Sequence, residues 1–181
     1  MSLLNINFLN EIVLEKNIHK PNEILNKQRV QIINALNSNS TSAINKQDGM
    51  DCTLCAFNFN KNELQYSAAN NELWLVRDNK LIEYPADKMP VGRSPKDNIS
   101  FTQHSVSLEK DDYIFLFTEG YADQFGGPKA KKMKQATLKK IIMKHAHQPT
   151  KKLKKLLDEE FENWKGELEQ IDDICIIGIK I

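Results

Sequence analysis

Long apolar runs are missing from this sequence. The longest, residues 174–179, falls far short of the roughly 20 residues that cross a bilayer, and no charged, apolar, small-residue pattern opens the chain, so neither a membrane span nor a secretion signal is read. Cysteine is scarce as well. Cys52, Cys55 and Cys175 cannot all pair, and 181 residues bury a core without cross-links, which predicts a reducing, cytoplasmic location. Seven glycines and six prolines are too few for collagenous or low-complexity chains. What is present, 40% hydrophobic and 27% charged residues with no linker or internal repeat, predicts one domain spanning residues 1–181.

The net charge of +1 hides a segregation. Residues 129–157 hold eleven lysines and no acid, whereas residues 158–173 hold eight carboxylates and one lysine, Lys165. A basic stretch can mark a nucleic-acid footprint. Here Lys139, Lys140, Lys144, Lys151, Lys152 and Lys155 fall on the polar faces of two amphipathic patterns without interleaved aromatics, so a solvated surface is expected and nucleic acid is not an expected partner.

Periodicity orders the chain. Leu4, Phe8, Leu9, Ile12 and Val13 form one helical stripe; Pro21 opens a second helix carrying Leu25, Ile32, Ile33 and Leu36, and the polar stretch 37–42 ends it. From Asp51 the period becomes two. Three hairpins are expected, turning at 60–63, 78–79 and 109–112. Cys52, Leu54 and Ala56 against Cys55, Phe57 and Phe59 make a strand apolar on both faces, which suits a central position. Two further helices follow, striped by Leu138, Ile141, Ile142 and His145 and by Leu153, Leu156, Leu157, Phe161 and Trp164, and a strand over 172–181 closes the chain. The class is α+β, a layered sandwich.

Two places put carboxylates at the ends of apolar strands: Phe115-Leu116-Phe117-Thr118-Glu119-Gly120, with Asp123 just beyond, and Asp172-Asp173-Ile174. Antiparallel neighbours would bring Glu119 and Asp172 together, and carboxylates gathered at a sheet rim call for a hard cation such as Mg²⁺ or Mn²⁺. Acids at strand ends also serve as turn and cap residues, and spacing alone leaves both readings open. Cys52 and Cys55 stand three apart, on opposite faces of a regular strand, and so do not chelate one zinc ion.

The string Phe117-Thr118-Glu119-Gly120 resembles the Thr/Ser-Asp-Gly segment, and Gln170-Ile171-Asp172-Asp173-Ile174 the Asp-Asp-Ile-Thr segment, of the SpoIIE/RsbU-like branch of the metal-dependent serine/threonine protein phosphatases. Asp48-Gly49-Met50-Asp51, Leu64-Gln65-Tyr66-Ser67-Ala68-Ala69, Met89-Pro90-Val91-Gly92, Ala122-Asp123-Gln124-Phe125-Gly126-Gly127 and Trp164-Lys165-Gly166 match in the same order. The resemblance implies an α-β-β-α sandwich of antiparallel sheets flanked by helix pairs. It implies a two-metal Mn²⁺ or Mg²⁺ centre in which a metal-activated water, rather than a protein nucleophile, attacks phosphoserine or phosphothreonine in a regulatory signalling partner. Glu119 and Asp172 take the place of metal ligands, with Asp173, Asp123 and Gly120 behind them. Lys129, Lys131 and Lys132 are placed to draw in an acidic phosphoprotein. The alternative is an interaction module that keeps the fold without the chemistry.

Two departures shape the expectations. Glu119 stands where the family has Asp, and its extra methylene moves the carboxylate by roughly 1.5 Å against coordination distances of about 2.1 Å. The family's Asp and Gly-His-Gly segment, which carries its first metal ligand, is not found, so the chain resembles a domain lacking its first strands, and sensory or receiver modules would lie upstream. Weak or absent activity of this chain alone is expected, and a homodimer with helix one or a sheet edge in the contact.

Overall fold

The change of period near Asp51 is where helices give way to strands in the structure, a computed structural model describing residues 2–38 and 49–181. In chain order the elements are α1 (Ser2–Asn10), a π-helical turn (Glu11–Glu15), α2 (Pro21–Ser38), β1 (Gly49–Met50), β2 (Cys52–Asn58), β3 (Glu63–Ala69), β4 (Leu73–Arg77), β5 (Lys80–Tyr84), β6 (Val91–Gly92), β7 (His104–Ser107), β8 (Tyr113–Phe117), α3 (Gly120–Asp123), β9 (Phe125–Gly126), β10 (Lys131–Lys132), α4 (Gln135–His145), α5 (Thr150–Lys165) and β11 (Ile176–Lys180). The polar stretch expected to end α2 begins inside it, at residues 37–38; residues 39–42 and Asp48 lie outside the described residues. The expected α+β class with antiparallel sheets is what is found. The described chain divides into two units, Met1–Glu72 with Pro85–Leu108, and Leu73–Tyr84 with Glu109–Ile181.

In the first unit β2, β3 and β7 form an antiparallel sheet in that order, and β1 pairs with β6. Cys52–Asn58, expected at the centre of a sheet, is the outer strand of this one among the described residues. Leu25 and Ile32 of α2 pack with Ala69, Met89, Val91 and Phe101, and Phe8 of α1 joins this core. Gln28 Nε2 also donates to the Asn5 carbonyl at 3.2 Å. Helix one therefore rests partly on its own unit, with Leu3, Ile6 and Leu14 left exposed. Asn5, Ile6 and Leu9 of α1 face Met50, Cys52 and Leu54 across a cleft of about 490 Å³. Arg29, buried beneath Ile99 and Phe101, donates to the Ile99 carbonyl at 2.6 Å and lies 4.6 Å over the Phe101 ring, fastening residues 99–101 to α2.

In the second unit the strand order is β11-β8-β4-β5, all antiparallel, with Trp74 opposite Phe115 and Phe117 opposite Ile176. The β4–β5 hairpin turns on Asp78 and Asn79, both at positive φ (48° and 56°), the two-residue turn whose twist matches its strands. Trp74, Phe115, Tyr121, Leu138, Ile142 and Leu153 make the core between this sheet and helices α4 and α5. The hairpin expected at 109–112 does not exist. β7 pairs with β3, while β8 pairs with β4 and β11. The reason lies in Asp112: its carboxylate accepts the Glu109 N–H at 2.8 Å and two bonds from Arg77, so the turn is tied to β4 instead of folding β8 back onto β7.

Candidate functional site

The pairing of β8 with β11 continues beyond their last ladder residues. Thr118 N–H donates to the Cys175 carbonyl at 2.9 Å. The Thr118 hydroxyl then uses both of its capacities, accepting from Cys175 N–H at 3.0 Å and donating to the Asp173 carbonyl at 3.1 Å. Antiparallel adjacency thus carries Glu119, leaving β8, and Asp172–Asp173, approaching β11, to one rim of the sheet. β11 begins at Ile176 and not at Asp172 as the alternation suggested, because the backbone of Asp173 and Cys175 turns to the Thr118 side chain.

Gly120 sits where the two segments approach most closely. A Cβ there would lie well inside van der Waals distance of the Asp173 carbonyl oxygen and 3.1 Å from its carbon. The short helix α3 that Gly120 starts presents Asp123, whose N–H donates to the Glu119 carbonyl at 2.9 Å and whose carboxylate is paired with Lys132 at 2.8 Å. Lys132 is therefore neutralised within the loop, while Lys129 and Lys131 are exposed, Lys131 opposite Gly126 in the β9–β10 pair. Asp172 and Asp173 are also exposed, and Asp172 Oδ1 accepts the Asp173 N–H at 2.8 Å.

Two residues that sequence reasoning left without a role hold this rim together. Thr118 is one. The other is Gln124, fully buried. Its Nε2 donates to the Glu169 carbonyl at 2.9 Å, its Oε1 accepts Ile171 N–H at 3.3 Å, and its own carbonyl accepts Trp164 Nε1–H at 3.1 Å. The acidic approach to β11 and the end of α5 are thereby bound to the loop after Glu119. The signal was a lone amide inside the mostly small and aromatic string 120–127, which a search for charge passes over.

The oxygen donors at the rim suit a hard divalent ion in kind. In number they do not suffice: among the described residues no group of three or more Asp, Glu, His or Cys side chains stands where it could hold a metal ion. Glu119 and Asp172 therefore do not fit a two-metal centre by themselves, and no chemical step is routed through one. Nor do Cys52 and Cys55 supply a nucleophile. Burial pushes Cys52 and Cys55 up to about 12, leaving essentially no thiolate at neutral pH.

The family model for stage II sporulation protein E (SpoIIE) matches residues 7–181. Among solved structures, the SiaA-PP2C domain of Pseudomonas aeruginosa is 18% identical, with a TM-score of 0.84 over 99% of this chain and 67% of that one. The phosphatase domain of the cell-fate determinant SpoIIE from Bacillus subtilis is 16% identical, with a TM-score of 0.56 over 98% and 73%. The PPM Ser-Thr phosphatase MsPP from Mycobacterium smegmatis, in complex with cacodylate, is 10% identical, with a TM-score of 0.59 over 99% and 81%. A comparison with curated proteins finds no match. Among the described residues no helix is long and apolar enough to cross a membrane.

Proposed function

Because the chain belongs to the SpoIIE family, whose model covers residues 7–181, we propose that it is a protein serine/threonine phosphatase domain of that type, directed at phosphoserine or phosphothreonine in a regulatory signalling protein. The observation that carries this reading is the register of β8 on β11, which unites at one rim the two segments most like the family's acidic ones. Thr118, Gly120 and Gln124 hold the rim in shape, Glu119 and Asp172 present its anionic oxygens, and Lys129 and Lys131 give an acidic partner a basic approach. Two carboxylates are too few for two-metal hydrolysis, so these 181 residues alone turn over phosphate esters slowly. A second reading, an interaction module that binds phosphoprotein without hydrolysing it, draws support from the missing three-donor cluster among the described residues.

The test measures phosphate release from a phosphoserine peptide with and without Mn²⁺, alongside binding of the same peptide. Slow, Mn²⁺-dependent release that drops to background in Asp172→Asn is expected. Binding without release under any metal condition replaces the phosphatase reading with the interaction module, and neither binding nor release refutes both.

A further inference from the structure

Three apolar side chains stand exposed beside the acidic rim: Phe125 and Leu168 at 43% and Ile171 at 53%. One buried amide gathers them. Gln124 Nε2 donates to the carbonyls of Phe125 (3.0 Å) and Glu169 (2.9 Å), and its Oε1 accepts from Ile171 N–H at 3.3 Å, which places Phe125 against the segment 168–171. The backbone beneath Phe125 is held as well. Trp164 fills the space a Cβ would take at Gly126 and comes within 3.1 Å of one at Gly127, its carbonyl accepts Gly127 N–H at 2.8 Å, and its Nε1–H donates to the Gln124 carbonyl at 3.1 Å. In β9 Gly126 is buried and Phe125 exposed, so the β9–β10 hairpin rests on the end of α5 by one face and shows Phe125 on the other. An aromatic ring on a fixed backbone has little left to lose in ordering when a partner covers it.

The charges around the cluster are ordered. On one side lies the rim, since Ile171 immediately precedes Asp172 and α3 alone separates Glu119 from Gln124. On the other side the hairpin runs from Phe125, opposite Lys132, to Gly126, opposite Lys131, and on to a turn closed by Ala130 N–H donating to the Gly127 carbonyl at 3.1 Å. Lys132 is taken up by Asp123, whereas exposed Lys129 and Lys131 are in no ion pair among the described residues. Along one surface the order is therefore acidic rim, apolar cluster, unpaired lysines.

We propose that Phe125, Leu168 and Ile171 form a docking subsite for the substrate protein, selecting a segment in which an apolar side chain stands close to the phosphorylated residue and carboxylates lie beyond it. The inference rests on the phosphatase reading and adds to it the sequence that surrounds the phosphate. An extended chain advances about 3.3–3.6 Å per residue, and Ile171 is the neighbour of Asp172, so about two or three residues carry a peptide from the rim onto the cluster. Charge fixes the rest of the order. Carboxylates of the partner are repelled by Glu119, Asp172 and Asp173 and attracted by Lys129 and Lys131, which leaves the apolar residue between them and the phosphate. Lysines alone admit any acidic protein, whereas an apolar subsite next to the rim separates one acidic phosphoprotein from another.

The test scans acidic phosphoserine peptides in which a single leucine is moved stepwise away from the phosphoserine on either side, with serine in its place as the reference. Binding is read by fluorescence anisotropy, and phosphate release with Mn²⁺ is followed on the same peptides. Leucine about two or three residues from the phosphoserine is expected to tighten binding about tenfold, and this gain persists in about 0.5 M salt, where attraction to the lysines fades. Phe125→Ser combined with Ile171→Ser removes the preference, and Leu168→Ser, in the loop rather than the hairpin, lowers it to about threefold. The peptide scan needs only the parent protein, so the proposal can fail without any variant. Peptides bound alike with and without leucine, or a preference that survives the paired substitution, overturn the subsite and leave the phosphatase reading standing. A leucine preference without release under any metal condition supports the subsite and refutes the phosphatase reading, and binding of no peptide at all overturns both.

Discussion

Alanine at Gly120 tests the construction of the rim directly. The added methyl would overlap the Asp173 carbonyl, backbone that cannot swing aside as the end of a side chain can, and would lie 3.3 Å from Ile174 Cγ1. Relief requires the 172–174 segment to withdraw, and the bonds from Thr118 to Asp173 (3.1 Å) and from Cys175 to Thr118 (3.0 Å) go with it. Overpacking of this kind costs about 1–3 kcal/mol. Each lost bond adds about 0.5 kcal/mol, the low end of the range, because water can replace an exposed partner. The sum is about 2–4 kcal/mol, which at a urea dependence of about 2 kcal/mol per molar moves the unfolding midpoint down by about 1–2 M. Gly178→Ala is the control, since its methyl meets only Phe115, at 3.5 and 3.8 Å. A Gly120→Ala midpoint equal to that of the control, with Cys175 N–H as protected from hydrogen exchange as in the parent, refutes the reasoning.

Asp112→Ala should cost about 1.5–3 kcal/mol in the same assay, because it removes a carboxylate only 1% exposed that accepts from Arg77 at 2.8 and 2.6 Å and from the Glu109 N–H at 2.8 Å, while Arg77 keeps its bond to Glu109. Hydrogen bonds from Lys144 and then His145 hold the Glu160 carboxylate below its ordinary 4.5, so its contribution to stability is complete above about pH 4.5 and is lost as pH falls through the folded-state value. Urea titrations from pH 6 downward should accordingly show a shallower acid decline in Glu160→Gln than in the parent. Iodoacetamide followed by mass spectrometry at pH 8 should label exposed Cys175 well before Cys52 and Cys55, whose thiols burial holds at about 12.

What the sequence made legible was whatever a period or a single residue type decides. The stripes of α2, α4 and α5, the Asp78-Asn79 turn and the approach of the Glu119 and Asp172 segments all follow from local pattern plus antiparallel pairing. What it hid depends on bonds across sequence. Residues 109–112 look like a hairpin turn until Arg77, 35 positions away from Asp112, is seen to claim that carboxylate. Apolarity on both faces of residues 52–59 signalled a central strand, yet among the described residues β2 is an outer strand. Alternation reports what a strand's faces can tolerate and is silent about its edges. At the rim, the acids were found by charge, whereas Thr118 and Gln124 act through bonds to backbone and carry no such mark.

The allocation of the chain between its two units has a consequence for inheritance. Residues 73–84 belong with 109–181, although residues before and after that hairpin belong to the other unit. No single crossover in the gene can therefore exchange one unit for a homologous one. A recombinant joined anywhere between positions 85 and 108 would inherit β4 and β5 from one parent and β8 from the other, and Trp74 would meet a Phe115 it had not evolved beside. Variation in this molecule is thus expected to accumulate by substitution at matched positions, with the β4–β5 hairpin and the last 73 residues changing in concert.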